Sequence, residues 1–293
     1  MYRSRRQLIF WSVTVSLAIA LVIYAFSDTN QATGPRQGIF LPMLMVHSPA
    51  LTQIRIDDQQ HQPWLTMEPA SDSEVTGWQI KEADNYPVNM TRLAKLIGQL
   101  SRASITASVD YPDESKAVAT APWNTKTDFA ELTAQYHLTI LAEGNFFRHI
   151  WLSEIADGQQ WLRVDKDSYS YQIEQLIELS SEQQSWLQPV DLASLFALAD
   201  EVTLETAAAD ANIESLQKHL QIVNPLDAIA KGKGTPGALQ YALKLHQHSE
   251  LLAELAIYRN DQGLWLDIQL ATPEQAEEIA LLANWYLALA STP

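Results

Sequence analysis

The sequence predicts an α+β protein in which an N-terminal transmembrane helix is followed by mainly antiparallel sheets with packed helices. Residues 8–26 form an uncharged run without Gly or Pro, and roughly 20 apolar residues are what a helix needs to cross a bilayer. From residue 51 onward, apolar and polar residues alternate with the period of two that is typical of half-buried strands. Few helical patterns interrupt these strands, which favours antiparallel sheets. The 293 residues are enough for two modest units behind the span.

The predicted membrane anchor comprises residues 1–27 and contains three basic residues, Arg3, Arg5 and Arg6, directly before the apolar run Leu8–Phe26. Basic residues favour the cytoplasmic side of a span. The sequence therefore predicts a single-pass protein with a cytoplasmic N-terminus and an exported body.

A cleaved signal peptide is the alternative to an anchor, with Ala25-Phe26-Ser27 as its cleavage site. The apolar core of a signal peptide usually has about 7–15 residues, and this run is longer. Trp11 and Tyr24 lie near its two ends, where aromatic residues suit the membrane interface. We therefore expect an uncleaved anchor.

Residues 28–48 are predicted to form a tether and a second apolar segment. Residues 28–38 are small and polar and contain Gly34 and Pro35, as is typical of linkers. Ile39–Val46 is apolar but too short to cross a membrane. We expect this segment to pack on the folded body, and the alternative is that it lies at the membrane surface.

The first α+β unit is predicted over residues 49–198. Ile54 and Ile56 alternate with Arg55 and Asp57, which indicates its opening strand. Turn residues separate the strands that follow, so we expect hairpins and a later antiparallel meander. These predicted strands are 64–67, 78–80, Gln135–Leu141, Phe146–Leu152, Gln160–Val164 and Tyr169–Ile173.

Helical patterns within this unit are few. Asn89 is a predicted N-cap, followed by Met90, Leu93, Ile97 and Leu100 on one helical face. We expect this helix to lie across the sheet formed by the preceding strands.

Two further segments of the first unit carry weaker patterns. Asp110–Asp128 is irregular, and we expect a long excursion there. Ser180 and Gln183 have capping-box spacing, which predicts a short helix that ends near Trp186.

The second α+β unit is predicted over residues 199–293. Val202 and Leu204 indicate its first strand. Helices are expected at Ala211–Leu220 and from Asn224-Pro225, where Asn would cap and Pro would take the first position. Three long strands are then predicted at Leu239–His246, Leu251–Arg259 and Leu264–Leu270.

The end of the chain is predicted to contain one more helix, capped by Thr272-Pro273. Glu274, Glu277 and Glu278 fall in its first turns, where the helix dipole favours acidic residues. Trp285–Leu289 fits both a continuation of this helix and an edge strand.

The charge of the chain argues against nucleic-acid binding. The net charge is −16, and the first 27 residues hold three of the 19 basic residues and no acidic one. The body is therefore even more acidic and repels phosphate backbones. The chain has no Cys, which excludes disulfides, cysteine zinc sites and thiol nucleophiles.

Two short patterns could carry chemistry, and we assign a functional site to neither. Lys231-Gly232-Lys233-Gly234-Thr235 fails the phosphate-loop pattern, so a turn between a helix and a strand is favoured. His246 and His248 would share the solvent face of a strand, but local spacing supplies no third metal ligand.

No motif of a known catalytic class is present, so we predict no catalytic residue, cofactor or metal. Eight Trp residues follow the anchor, and most lie on predicted strands, where Trp is usually part of a core. Trp123 lies in the irregular excursion beside Pro122, and it is our candidate for contact with a partner.

The order of several segments resembles the bacterial domain-of-unknown-function family numbered forty-three forty. These segments are LPMLMVHSPALTQIRID, GWQIKE, YPVNMTRLAKLIGQL, SEQQSWLQPVDL and EVTLE. The resemblance covers most of residues 39–206 and extends more loosely beyond them. It departs at residues 110–128, where Lys126-Thr127-Asp128-Phe129 matches only part of a Lys-Thr-x-x-Pro-like segment.

This resemblance implies a membrane-anchored, exported protein of the bacterial inner membrane with a periplasmic body. Members of the family are often encoded beside, or fused to, ABC-type transport components of the gliding-motility auxiliary kind. The family supplies no agreed catalytic residues. We therefore expect a non-catalytic accessory protein of an ABC-type transport complex. The alternative is an exported binding or hydrolytic module that acts on cell-envelope polymer or a small ligand.

Overall fold

The computed structural model describes residues 35–58, 62–70, 77–110, 134–143, 146–153, 155, 157–164, 167, 169–180, 182–206, 212–234, 236–271 and 277–290. Antiparallel sheets dominate these residues, which confirms the predicted dominance of antiparallel strands. The predicted anchor lies outside the described residues. Among the residues that are described, no helix is long and apolar enough to cross a membrane.

A nine-stranded sheet forms the first part of the structure. Its strands run antiparallel in the order β4-β3-β2-β1-β6-β7-β8-β9-β5. They are β1 (Leu51–Asp57), β2 (Pro63–Pro69), β3 (Trp78–Ile80), β4 (Tyr86–Pro87), β5 (Ile105–Asp110), β6 (Ala134–Ala142), β7 (Phe146–Ser153), β8 (Gln160–Val164) and β9 (Tyr169–Ile173).

A six-stranded sheet follows, in the order β11-β14-β15-β16-β17-β13, and β10 pairs with β12 in a separate two-stranded sheet. Every strand pair is antiparallel. The strands are β10 (Val190–Asp191), β11 (Glu201–Thr206), β12 (Ile222–Val223), β13 (Ala228–Ala230), β14 (Ala238–Gln247), β15 (Glu250–Asn260), β16 (Gly263–Leu270) and β17 (Trp285–Leu289).

Within the described ranges, the helices are short except for one. They are α1 (Leu44–His47), α2 (Met90–Arg102), α3 (Ala193–Leu198), α4 (Ile213–Leu220) and α5 (Glu277–Leu282), with 3-10 turns at Ser48–Ala50, Lys81–Ala83 and Gln183–Trp186.

Helix α2 is the predicted helix with the predicted cap. The Asn89 side chain accepts a hydrogen bond from the backbone N–H of Arg92 at 3.2 Å, and Leu93, Leu96 and Leu100 are buried. The helix joins β4 to β5, which are the opposite edges of the nine-stranded sheet. Its buried leucines belong to the same apolar core as Ile54 and Ile56 of β1.

Several other predictions have definite outcomes. Residues 213–220 are helical as predicted, with Asn212 as the cap. Trp285–Leu289 is a strand, because it pairs with both β16 and β13. The helix predicted from Asn224 is wrong, because Ala228–Ala230 pairs with β17 instead. The capping-box segment near Gln183 forms a 3-10 turn rather than an α-helix.

Asp84 connects the two large sheets. It adopts a left-handed backbone conformation, with φ of 53°, just after a 3-10 turn. Its carboxylate accepts hydrogen bonds from Lys233 Nζ at 2.6 Å and from the backbone N–H of Ala230 at 3.3 Å. Its carbonyl oxygen accepts one from Trp285 Nε1 at 3.1 Å, and the Trp285 ring meets Tyr86 edge to face. The sheets thus share a hydrogen-bonded joint as well as one continuous apolar core.

Candidate functional site

The residues that the sequence assigned to membrane contact lie outside the described residues. These are Arg3, Arg5, Arg6 and Leu8–Phe26, and the candidate partner residue Trp123 also falls outside. The cap predicted at Thr272-Pro273 and the interior of the excursion 110–128 fall outside as well.

The two histidines do not share a strand face. His246 is on β14, opposite Glu201 of β11. His248 lies in the turn after β14, where both His248 and Ser249 have positive φ. The expectation that His248 continues the strand is therefore wrong. Among the described residues, no group of three or more acidic or histidine side chains could hold a metal ion.

The glycine-rich loop joins two strands, β13 and β14, rather than a helix and a strand. Lys231 pairs with Asp267 of β16, and Lys233 pairs with Asp84, which lies between β3 and β4. Gly237 has φ of 108°, and a Cβ there would collide with the carbonyl of Arg259. These contacts give the loop a structural role, with both lysines engaged by carboxylates.

A cluster of polar and aromatic side chains lies on the nine-stranded sheet. We call it the charged aromatic face, and it faces away from the apolar core that Ile54 and Ile56 enter. Strand pairing places its members in two cross-strand rows, because directly opposed residues share a sheet face. One row is Asp57, His137, Trp151 and Arg163, and the other is Arg55, Thr139 and His149.

Asp57 is the ionic centre of the charged aromatic face and is 1% exposed. Arg55 Nε lies 2.9 Å from Asp57 Oδ1, and Arg55 Nη2 donates a hydrogen bond to Oδ2 at 3.0 Å. His137 Nδ1 lies 3.4 Å from Asp57 Oδ2. A buried carboxylate needs such partners, since isolated burial of a charge is costly.

The aromatic rings of this face stack on one another across neighbouring strands. The His137 ring lies 4.9 Å from Trp151, with an interplanar angle of 16°, and 5.0 Å from His149. The Arg163 guanidinium lies over Trp151 at 5.5 Å from the ring centroid. Thr139 Oγ1 and His149 Nδ1 share a hydrogen bond of 3.0 Å. His149, Trp151 and Arg163 remain partly exposed on this face, and partly exposed rings and guanidinium groups are common in binding sites.

Sequence reasoning did not identify this face. Each strand shows part of it as alternation: Arg55 and Asp57 on β1, His137 and Thr139 on β6, then His149 on β7. The face exists only through cross-strand register, which a single sequence does not give.

A second feature lies at the start of the described chain. Phe40, Leu41 and Leu44 are buried in the core of the first sheet. The preferred prediction, that this segment packs on the body, is therefore confirmed for these residues. Four apolar neighbours are instead between 46% and 66% exposed, and we call them the apolar row: Ile39, Met43, Met45 and Val46.

Basic side chains lie beside the apolar row. His47 stacks on Phe146 with ring centroids 4.4 Å apart. The Arg148 guanidinium lies over the same Phe146 ring at 4.6 Å. Burial lowers the pKa of Arg148, and the nearby positive charge of Arg36 lowers it further. Two arginines and a histidine thus lie at this edge, where Arg36 is paired with Asp167 at 2.7 Å.

The chain matches no protein-family model, no curated protein and no solved structure. The resemblance to the family numbered forty-three forty therefore remains a hypothesis that is carried by the sequence segments alone.

Proposed function

We propose that the chain is a membrane-anchored accessory protein whose body works on the exported face of a bacterial inner membrane. One observation carries this proposal: the folded body begins with an apolar row, directly after the tether of the predicted span. Exposed apolar side chains grouped in this way are typical of interaction surfaces. The row fits a body that is held against the membrane by its own anchor.

The proposed protein partner is an ABC-type transport complex, and the proposed role is non-catalytic. This part rests on the sequence resemblance. Edge strands offer one surface for such a partner, because their outer backbone groups can pair with another chain. Strand β11 is an edge of the six-stranded sheet, and residues 201–205 include no fully buried side chain. Trp123 remains our candidate side chain for this contact.

Crosslinking followed by affinity purification of the full-length chain from membranes tests the partner. We expect transport components to co-purify reproducibly, and we expect Trp123→Ala to reduce their yield. Lys218→Ala is the matched control, because Lys218 is exposed on α4 and should leave the yield unchanged. A protein that is repeatedly recovered alone would contradict the proposal.

The charged aromatic face favours a second candidate, an exported module that binds cell-envelope polymer or a small ligand. The stacked rings of His137 and Trp151, with Arg163 above them, are the supporting observation. Glycan fragments and small anions should then change the tryptophan fluorescence of the full-length protein. Trp151→Phe should weaken that response, while Trp78→Phe on β3 should not. No response to any of these ligands would count against this candidate.

A further inference from the structure

The apolar row supports a narrower proposal than a general interaction surface. We propose that Met43, Met45 and Val46 sit in the headgroup region of the bilayer that holds the anchor. This inference rests on the proposed function, because it requires the span at Leu8–Phe26. It assigns the row to lipid rather than to a protein.

The length of chain between the span and the row supports this occupant. Twelve residues separate Phe26 from Ile39, and even fully extended they reach only about 40 Å. Because the row is the first apolar part of the described body after the span, it cannot lie farther than this from the bilayer.

The segment that carries the apolar row has a buried side and an exposed side, and this division also supports lipid contact. Phe40 and Leu44 are fully buried, so they fix the segment on the sheet. Met43, Met45 and Val46 point away from that core and are about half exposed or more. A segment with one side fixed and the other apolar can enter the interface without unfolding, as interfacial amphipathic segments do.

The local charge favours a surface of anionic headgroups. The chain as a whole has a net charge of −16 and would be repelled by anionic lipids. At this edge, however, His47 and Arg148 flank the Phe146 ring, while the charge of Arg36 is balanced by Asp167 at 2.7 Å. Basic groups beside an apolar row attract anionic lipids over about one Debye length.

Depth-dependent quenching tests the inference on the full-length protein. The natural chain has no Cys, so Val46→Cys gives a single site for an environment-sensitive fluorophore. The protein is reconstituted in vesicles of phosphatidylcholine and phosphatidylglycerol, with or without bromine on the acyl chains. Ile222→Cys is the matched control, because Ile222 is 60% exposed and Val46 is 66% exposed.

We expect brominated lipid to quench the label at position 46 at least about twofold more than the label at position 222. Quenching at position 46 should also rise with the phosphatidylglycerol fraction. Adding Val46→Asp to a Met43→Cys variant should reduce quenching at position 43, which separates lipid contact from mere proximity.

Equal, weak quenching at both positions in protein that floats with the vesicles would overturn the lipid assignment and leave the anchor intact. A label that becomes shielded without lipid quenching would overturn it in favour of a second copy of the chain. Protein that fails to float with the vesicles would contradict the anchor, and with it both proposals.

Discussion

The two large sheets each bury one aspartate on the face opposite their apolar core, and they neutralise it differently. Asp57 of the first sheet is 1% exposed, and Asp267 of the second is 4% exposed. Arg55, on the same strand, and His137, on the neighbouring strand, approach Asp57. Asp267 pairs instead with Lys231, which comes from the loop after β13, and accepts a hydrogen bond from Gln269 Nε2 at 2.8 Å.

This difference shows what each pair holds in place. The Asp57 cluster forms within the sheet, so it stabilises strand pairing and the stacked rings beside it. The Asp267 pair fixes a loop, since Lys231 also donates a hydrogen bond to the carbonyl of Ile268 at 3.0 Å. The same loop then supplies Lys233 to Asp84 across the joint. Desolvation, together with the charge of Asp267, raises the pKa of Tyr258 and of Tyr286.

The largest expected effect is that of Lys231→Ala. This change leaves the Asp267 carboxylate buried without a cation, and we expect the free energy of unfolding to fall by about 3 kcal/mol. Urea unfolding followed by circular dichroism measures it. Lys233→Ala, two residues away, removes a mostly exposed lysine and should cost no more than about 1 kcal/mol. Equal losses for the two variants would show that Asp267 does not depend on Lys231.

Arg55→Ala should have a smaller effect, about 2 kcal/mol, because His137 remains 3.4 Å from Asp57. The double variant Arg55→Ala with His137→Ala should lose more than the sum of the single changes. A double-mutant cycle in urea measures this coupling. Strict additivity would mean that the two side chains do not share the carboxylate.

Trp285→Phe tests the joint between the sheets. The change keeps an aromatic ring against Tyr86 but removes the hydrogen bond from Trp285 Nε1 to the Asp84 carbonyl. We expect a loss of about 1 kcal/mol in the free energy of unfolding. The control is Trp78→Phe on β3. A loss no greater than that of the Trp78→Phe control would show that this hydrogen bond does not stabilise the joint.

The smallest expected effect is that of Asp227→Asn, and its sign is opposite. Desolvation and the negative charge of Asp84 raise the pKa of Asp227. The folded state therefore binds this proton more tightly than the unfolded state, so ionisation at neutral pH lowers stability. Asparagine removes that cost and can still accept the hydrogen bond from the Ala228 N–H.

We therefore expect Asp227→Asn to stabilise the protein at pH 7 by at most about 0.5 kcal/mol, because solvent screens this exposed site. The gain should shrink as the pH falls toward the ordinary carboxyl pKa of about 4. Thermal unfolding at several pH values checks both statements. Destabilisation at pH 7 would contradict them.

Long local patterns predicted much of the fold. The strands β14, β15 and β16 lie close to their predicted positions, because each is a long segment rich in apolar residues that extends over eight residues or more. Helix α2 combined one apolar face with an asparagine cap. Strand β5 and helix α3 were not predicted, since six residues carry too little periodicity in either case.

Pairing between distant strands determined the structure of segments that local sequence patterns did not predict. Ala228–Ala230 follows a good helix start, yet it becomes a strand because β17 lies beside it. Asp57 belongs to the polar side of its strand, but cross-strand partners bury it almost completely. Lys231 and Asp267 are far apart in the sequence and are brought together by the sheet, so neither residue marks the pair in the sequence.

The intact mass of the chain recovered from carbonate-washed membranes tests the membrane-anchored account most directly. If Leu8–Phe26 is an uncleaved span, the membrane fraction should contain the full, unprocessed chain. A chain that lacks about the first 27 residues and is released into the soluble fraction would contradict it.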